Sequence, residues 1–179
     1  MPSLTPLRKG IAEPQLVASG QVSRHSDRVT TPNDLPSLAR TLGYAGLLPQ
    51  AAALLLLASG SSDHRFSALA LAFAYAALIL SFLGALWWGL AAAQPARAPE
   101  WVWPAGVAPS LLALAACVPW AIGAEWPGPS LIVLAVAIAA SAVVDRRLDQ
   151  LGLCPPGWLR LRVHLSVALG LLTFLCALA

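Results

Sequence analysis

Charge is what this sequence has least of: only 11% of its 179 residues are Asp, Glu, Lys or Arg. A water-soluble domain carries about 25%, so a soluble globular domain is excluded. A hydrophobic fraction of 58% excludes a disordered chain equally well. Cysteine is scarce too. Cys117, Cys154 and Cys176 show no C-x-x-C spacing, which excludes a disulfide-stapled domain and a thiolate metal cluster. The three histidines, His25, His64 and His164, fall in separate segments, so no pair of them implies a haem or a metal. No G-x-S-x-G or H-E-x-x-H motif occurs. No catalytic residue, metal site, cofactor or nucleic-acid partner is expected.

What is present is a set of long apolar runs. A transmembrane helix needs roughly 17–25 apolar residues to cross about 30 Å of hydrocarbon. Five stretches meet or approach this, at about 42–59, 66–93, 106–123, 130–144 and 163–179. Lipid offers backbone groups no partner, so such runs must be helical. Nothing alternates with period two, which argues against a β-barrel. The fold class expected is therefore all-α: a polytopic membrane protein forming a compact bundle of five transmembrane helices over 41–179. Residues 1–40 are polar and lack an apolar run, so they read as a disordered cytoplasmic tail without a signal peptide.

The basic residues set an orientation. Five spans place Arg8, Lys9, Arg24, Arg28, Arg40, Arg97, Arg146, Arg147, Arg160 and Arg162 on one side and Arg65 alone on the other. By the positive-inside rule the N-terminus lies inside and the C-terminus outside. Trp87, Trp88, Trp101, Trp103 and Trp158 near one set of span ends, with Trp120 and Trp126 near the other, form an interfacial belt. Arginine outnumbers lysine ten to one, which suggests a GC-rich bacterial genome. The expected location is the bacterial inner membrane, or the mitochondrial inner membrane in a eukaryote.

Ionisable groups inside a membrane are the usual functional flag, and no span carries one at its centre. Coupled ion transport is therefore disfavoured; passage of a neutral solute is not. Uncharged polar residues do lie at depth. Gln50 follows Pro49 in the first span, while Tyr75 and Ser81 occupy the second and Ser110 and Ser141 the third and fourth. Their bland role is hydrogen bonding between helices. Their sharper role, together with Trp88, is a pocket for a quinone, pigment or lipid. Pro49 also frees a backbone carbonyl that a neighbour can satisfy.

Two further groups stand out. Ala77, Ser81, Ala85 and Gly89, with Gly84 beside them, make a small-residue face that admits a close helix neighbour. Asp145, Arg146 and Arg147 close the fourth span on the same side as Arg160 and Arg162, which lead into the fifth. Snorkelling arginines explain this cluster in structural terms; an anionic-lipid or phosphate site, with Asp145 holding one arginine in place, is the functional alternative.

Several of these residues carry a family likeness. Leu42-Gly43-Tyr44-Ala45-Gly46-Leu47-Leu48-Pro49, Tyr75 to Gly84, Trp88-Gly89, Pro109-Ser110-Leu111-Leu112, Asp145-Arg146-Arg147 and Trp158 resemble the uncharacterised domain of unknown function 3429 family, related to transmembrane protein 69. The likeness covers about residues 40–179. It implies a five-helix integral membrane protein and supplies no activity. In one departure, relatives tend to carry histidine where this chain has Trp87.

The function expected is non-enzymatic: an accessory or assembly component of a membrane complex, with other membrane subunits and anionic lipid as partners. The alternative is a binder or facilitative carrier of a neutral or amphipathic small molecule.

Overall fold

The computed structural model describes residues 35–60, 62–124 and 127–179. Six helices follow one another: α1 (Ser37–Ala45), α2 (Leu48–Ala58), α3 (Ser62–Ala93), α4 (Val102–Ala121), α5 (Gly128–Gln150) and α6 (Trp158–Leu178). With α1 and α2 taken together, five stretches are long and apolar enough to cross a membrane. The described residues form an all-helical bundle. Most of the tail and Trp126 lie outside the described residues, though Ser37–Arg40 belong to α1.

The first span is broken because proline cannot donate to the preceding turn and crowds it. Pro49 sits in the first turn of α2, and Gly46 and Leu47 form the junction. There the Tyr75 hydroxyl of α3 donates to the Gly46 carbonyl. The result is a short, wholly unburied α1 set at a bend from α2.

Helix α3, at 32 residues, is the backbone of the bundle and touches every other helix except α1 extensively. Its most extensive neighbour is α4, while α5 and α6 form the other close pair. The core runs along α3, from Ala68, Ala72 and Phe73 to Leu80, and meets Leu131, Leu134 and Ile138 of α5. A second cluster, with Trp87, Val102, Leu148 and Leu153, closes one end.

Helices α5 and α6 outrun their apolar stretches. α5 continues past 144 to Gln150, and α6 begins at Trp158 rather than near 163. Charge ends the apolar runs but not the helices, and within the added turns Asp145 and Arg162 are buried and paired. The loop between them turns on two left-handed glycines, Gly152 (φ 68°) and Gly157 (φ 78°), a conformation that penalises any Cβ.

Every described arginine except Arg65 gathers at the end where α5 stops and α6 starts. Arg97 reaches the Leu151 carbonyl at 3.2 Å there. Arg65 instead meets the Ala179 carbonyl at the far end.

Candidate functional site

The strongest constellation is built around Asp145, which is 1% exposed within α5. Arg162, in the second turn of α6, places its Nε 3.1 Å from Asp145 Oδ2. From α3, the Trp87 indole N–H donates to Asp145 Oδ1 at 2.8 Å. Three helices therefore converge on one carboxylate. A buried carboxylate needs this: unpaired, it costs several kcal/mol. At the position where the family likeness expects histidine, the structure uses an N–H donor that an imidazole also offers.

Arg162 is 7% exposed, and its Nη2 has no hydrogen-bond partner among the described residues. It forms part of the wall of a cavity of about 200 Å³ between the α1–α2 bend and α3, α5 and α6. The other walls are almost wholly apolar, including Leu47, Ile79, Leu83, Ile138 and Leu169. Ser166 is the one further polar side chain, and it is already engaged with Ser141 at 3.2 Å. Gly43 and Gly46 line the α1 side. A Cβ on Gly43 would come within 3.1 Å of Leu165, so glycine keeps this wall thin. Leu42 and Phe82, both exposed, frame an opening on the outer surface.

The residues proposed from sequence as one pocket do not come together. Gln50 is fully buried and donates from Nε2 to Thr173 Oγ1 of α6 at 3.1 Å, leaving Oε1 without a partner. Tyr75 serves the Gly46 bend. Ser81 lines a groove between α3 and α4. Trp88 donates to the Trp103 carbonyl at 3.0 Å and meets that ring edge-on at 5.0 Å. Thr173 was not singled out from sequence; a lone threonine in an apolar run is the signal that could have found it.

The small-residue face divides. Gly84 is buried, and a Cβ there would strike the Gly106 backbone of α4. The same contact brings Trp88 onto Gly106. Ala77 and Ser81 are half-buried, whereas Ala85 and Gly89 are exposed and Gly89 faces open space. Gly84 alone makes the close approach; the rest border the α3–α4 groove.

The arginines divide likewise. Arg162 is buried, while Arg146, Arg147 and Arg160 are exposed. Arg160 joins Arg40, Tyr44, His164 and Asp149 in a broad open cleft of about 820 Å³ outside α1. Tyr44 and His164 meet there at 3.5 Å. In the α5–α6 loop, burial first, then Asp149 and Asp145, pushes the Cys154 thiol up to about 12. No group of three His, Cys, Asp or Glu side chains capable of holding a metal occurs among the described residues.

The model of the family described as "Protein of unknown function (DUF3429)" matches residues 35–178. The chain belongs to that family. DUF3429 membership thus covers the whole helical part, Asp145, Arg162 and Trp87 included. No curated protein and no solved structure matches the chain.

Proposed function

We propose that this protein is a non-enzymatic, multi-pass membrane protein that binds an amphipathic small molecule in the Arg162 cavity. One observation carries the reading: the side chain of a buried arginine, paired with Asp145, forms part of the wall of an otherwise apolar cavity. A ligand oxygen would meet a cationic hydrogen-bonding group in this wall, and an aliphatic tail would suit the rest of the lining. Tail entry at Leu42 and Phe82 requires no path through water.

The bilayer is an inner membrane, bacterial or mitochondrial. The arginine-rich end faces the cytoplasm, or the mitochondrial matrix, as the charge bias favours. There the exposed Arg146, Arg147 and Arg160 meet anionic headgroups.

The test is extraction of the full chain into lipid nanodiscs from its own membrane, followed by native mass spectrometry. The wild type retains a small hydrophobic molecule, and Leu165→Trp, which fills the cavity beside Gly43, loses it. Equal retention by both proteins overturns the reading.

The α3–α4 groove favours a second reading, an accessory subunit that packs a foreign helix along Ala85 and Gly89. Cysteine crosslinking from Gly89→Cys in native membranes tests it. Adducts confined to lipid or to none would count against a subunit.

A further inference from the structure

The charge balance at Arg162 restricts which ligand group its side chain can hold in the cavity. The guanidinium is already neutralised by Asp145, 3.1 Å away, and Arg162 is the only charged residue in the cavity wall among the described residues. A ligand anion against the Arg162 side chain would place a second negative charge beside a buried carboxylate. Like charges in a site of low dielectric repel strongly, and no further cation in the wall offsets this. A neutral acceptor carries no such cost. It still gains a charge-assisted hydrogen bond, because the donor is cationic although the pair is not.

Resting on the binding reading above, we propose that the cavity selects a neutral carbonyl head, an ester, amide, ketone or quinone oxygen, and that Asp145 is the residue that rejects anions. Asp145 is thus a specificity determinant that acts through Arg162. Its orientation by Trp87 keeps both carboxylate oxygens engaged, so neither is free to pull a proton or a cation into the cavity. The hydroxyls do not alter this balance: Ser166 shares its bond with Ser141, which itself donates to the Ile138 carbonyl at 2.6 Å.

The experiment uses the full chain in phosphatidylcholine nanodiscs and two photoreactive probes. One is a diazirine-tailed fatty methyl ester; the other is the sulfonate of the same chain length, which stays ionised throughout. Labelled peptides are mapped by mass spectrometry. The ester should label the peptides holding Leu42 and Leu165 about tenfold more than the sulfonate does, the direction that like-charge repulsion demands. Asp145→Asn removes the charge and keeps one of the two acceptor oxygens, its amide NH2 standing where the other was, and should reverse the preference. The double variant Asp145→Leu/Arg162→Met replaces the ion pair with apolar volume, a change that often preserves folding. It should lose ester labelling while remaining monodisperse.

Sulfonate labelling equal to or above ester labelling in the wild type overturns the selectivity and leaves ligand binding standing. Ester labelling undiminished in the double variant places the head elsewhere and also overturns it. Absence of labelling by either probe overturns the binding reading itself. Should Asp145→Asn fail to fold, the wild-type comparison and the double variant still decide.

Discussion

Trp87 and Asp145, 58 positions apart in sequence, share a 2.8 Å hydrogen bond that ties α3 to the α5–α6 pair. Removing the donor leaves a buried carboxylate oxygen unsatisfied. Trp87→Phe should therefore cost about 1.5–3 kcal/mol, the usual range for a hydrogen bond to a charged group. Trp87→His, which restores an N–H, should recover part of it. Thermal unfolding in detergent, read by loss of the monodisperse species, checks the order wild type, His, Phe.

The ion pair gives a sharper contrast. Asp145→Ala strands Arg162 in the interior and should destabilise by about 3–5 kcal/mol. The double variant Asp145→Leu/Arg162→Met should lie close to wild type, because no charge is left to desolvate. Comparable losses in both would mean that packing rather than charge dominates this end of the bundle.

Two glycines on the same helix should behave oppositely. Gly84→Val forces a side chain into the Gly106 backbone, and overpacking of this kind costs about 1–3 kcal/mol. Gly89→Ala meets open space, so it should be neutral or gain up to about 1 kcal/mol from helix propensity. Unfolding midpoints of the two variants in the same detergent decide the matter.

Cys154 supplies a pH test. Its thiol is held up to about 12, mainly by burial, so almost no thiolate exists at pH 8. Maleimide labelling of a Cys117→Ala/Cys176→Ala chain should be slow there and should still be rising with pH above 9. An ordinary thiol would be half-ionised by about 9 and would level off about one unit higher, whereas this one should keep rising. The sign for stability follows: the raised value favours the native state below about 9 and is lost as pH climbs towards 12.

The helices could be read from the sequence because length and apolarity are one-dimensional signals. The break at Gly46-Leu47 was legible only in part: Pro49 loosens the turn before it, yet 42–59 reads as one continuous span. Rotation of each helix about its axis could not be read. In a soluble helix the apolar stripe reveals which face is buried, but here lipid and core are equally apolar. That is why Gln50, Tyr75, Ser81 and Trp88 look like one pocket on paper and point to four different neighbours. The Asp145 pairing was legible in part: an arginine held by Asp145 follows from the clustered charges, but not which of four arginines it is, nor that the pair is buried. Its members bound the apolar runs, so each reads as a span end until the Pro155-Pro156-Gly157 turn folds one onto the other.

Helix α3 also serves as a ruler. From Phe66 at the start of its apolar run to Trp87 is about 32 Å at 1.5 Å per residue. A tilt of about 20°, the average for membrane helices, reduces that to about 30 Å, one full hydrocarbon thickness. Trp87, and with it Asp145 and Arg162, thus stands at the boundary where acyl chains give way to glycerol esters. The ion pair is dry because protein surrounds it, not because it is deep. A molecule held by Arg162 would carry its head at the depth of a phospholipid's own carbonyls and its tail alongside the neighbouring lipids, so it could exchange sideways within one leaflet without leaving the membrane.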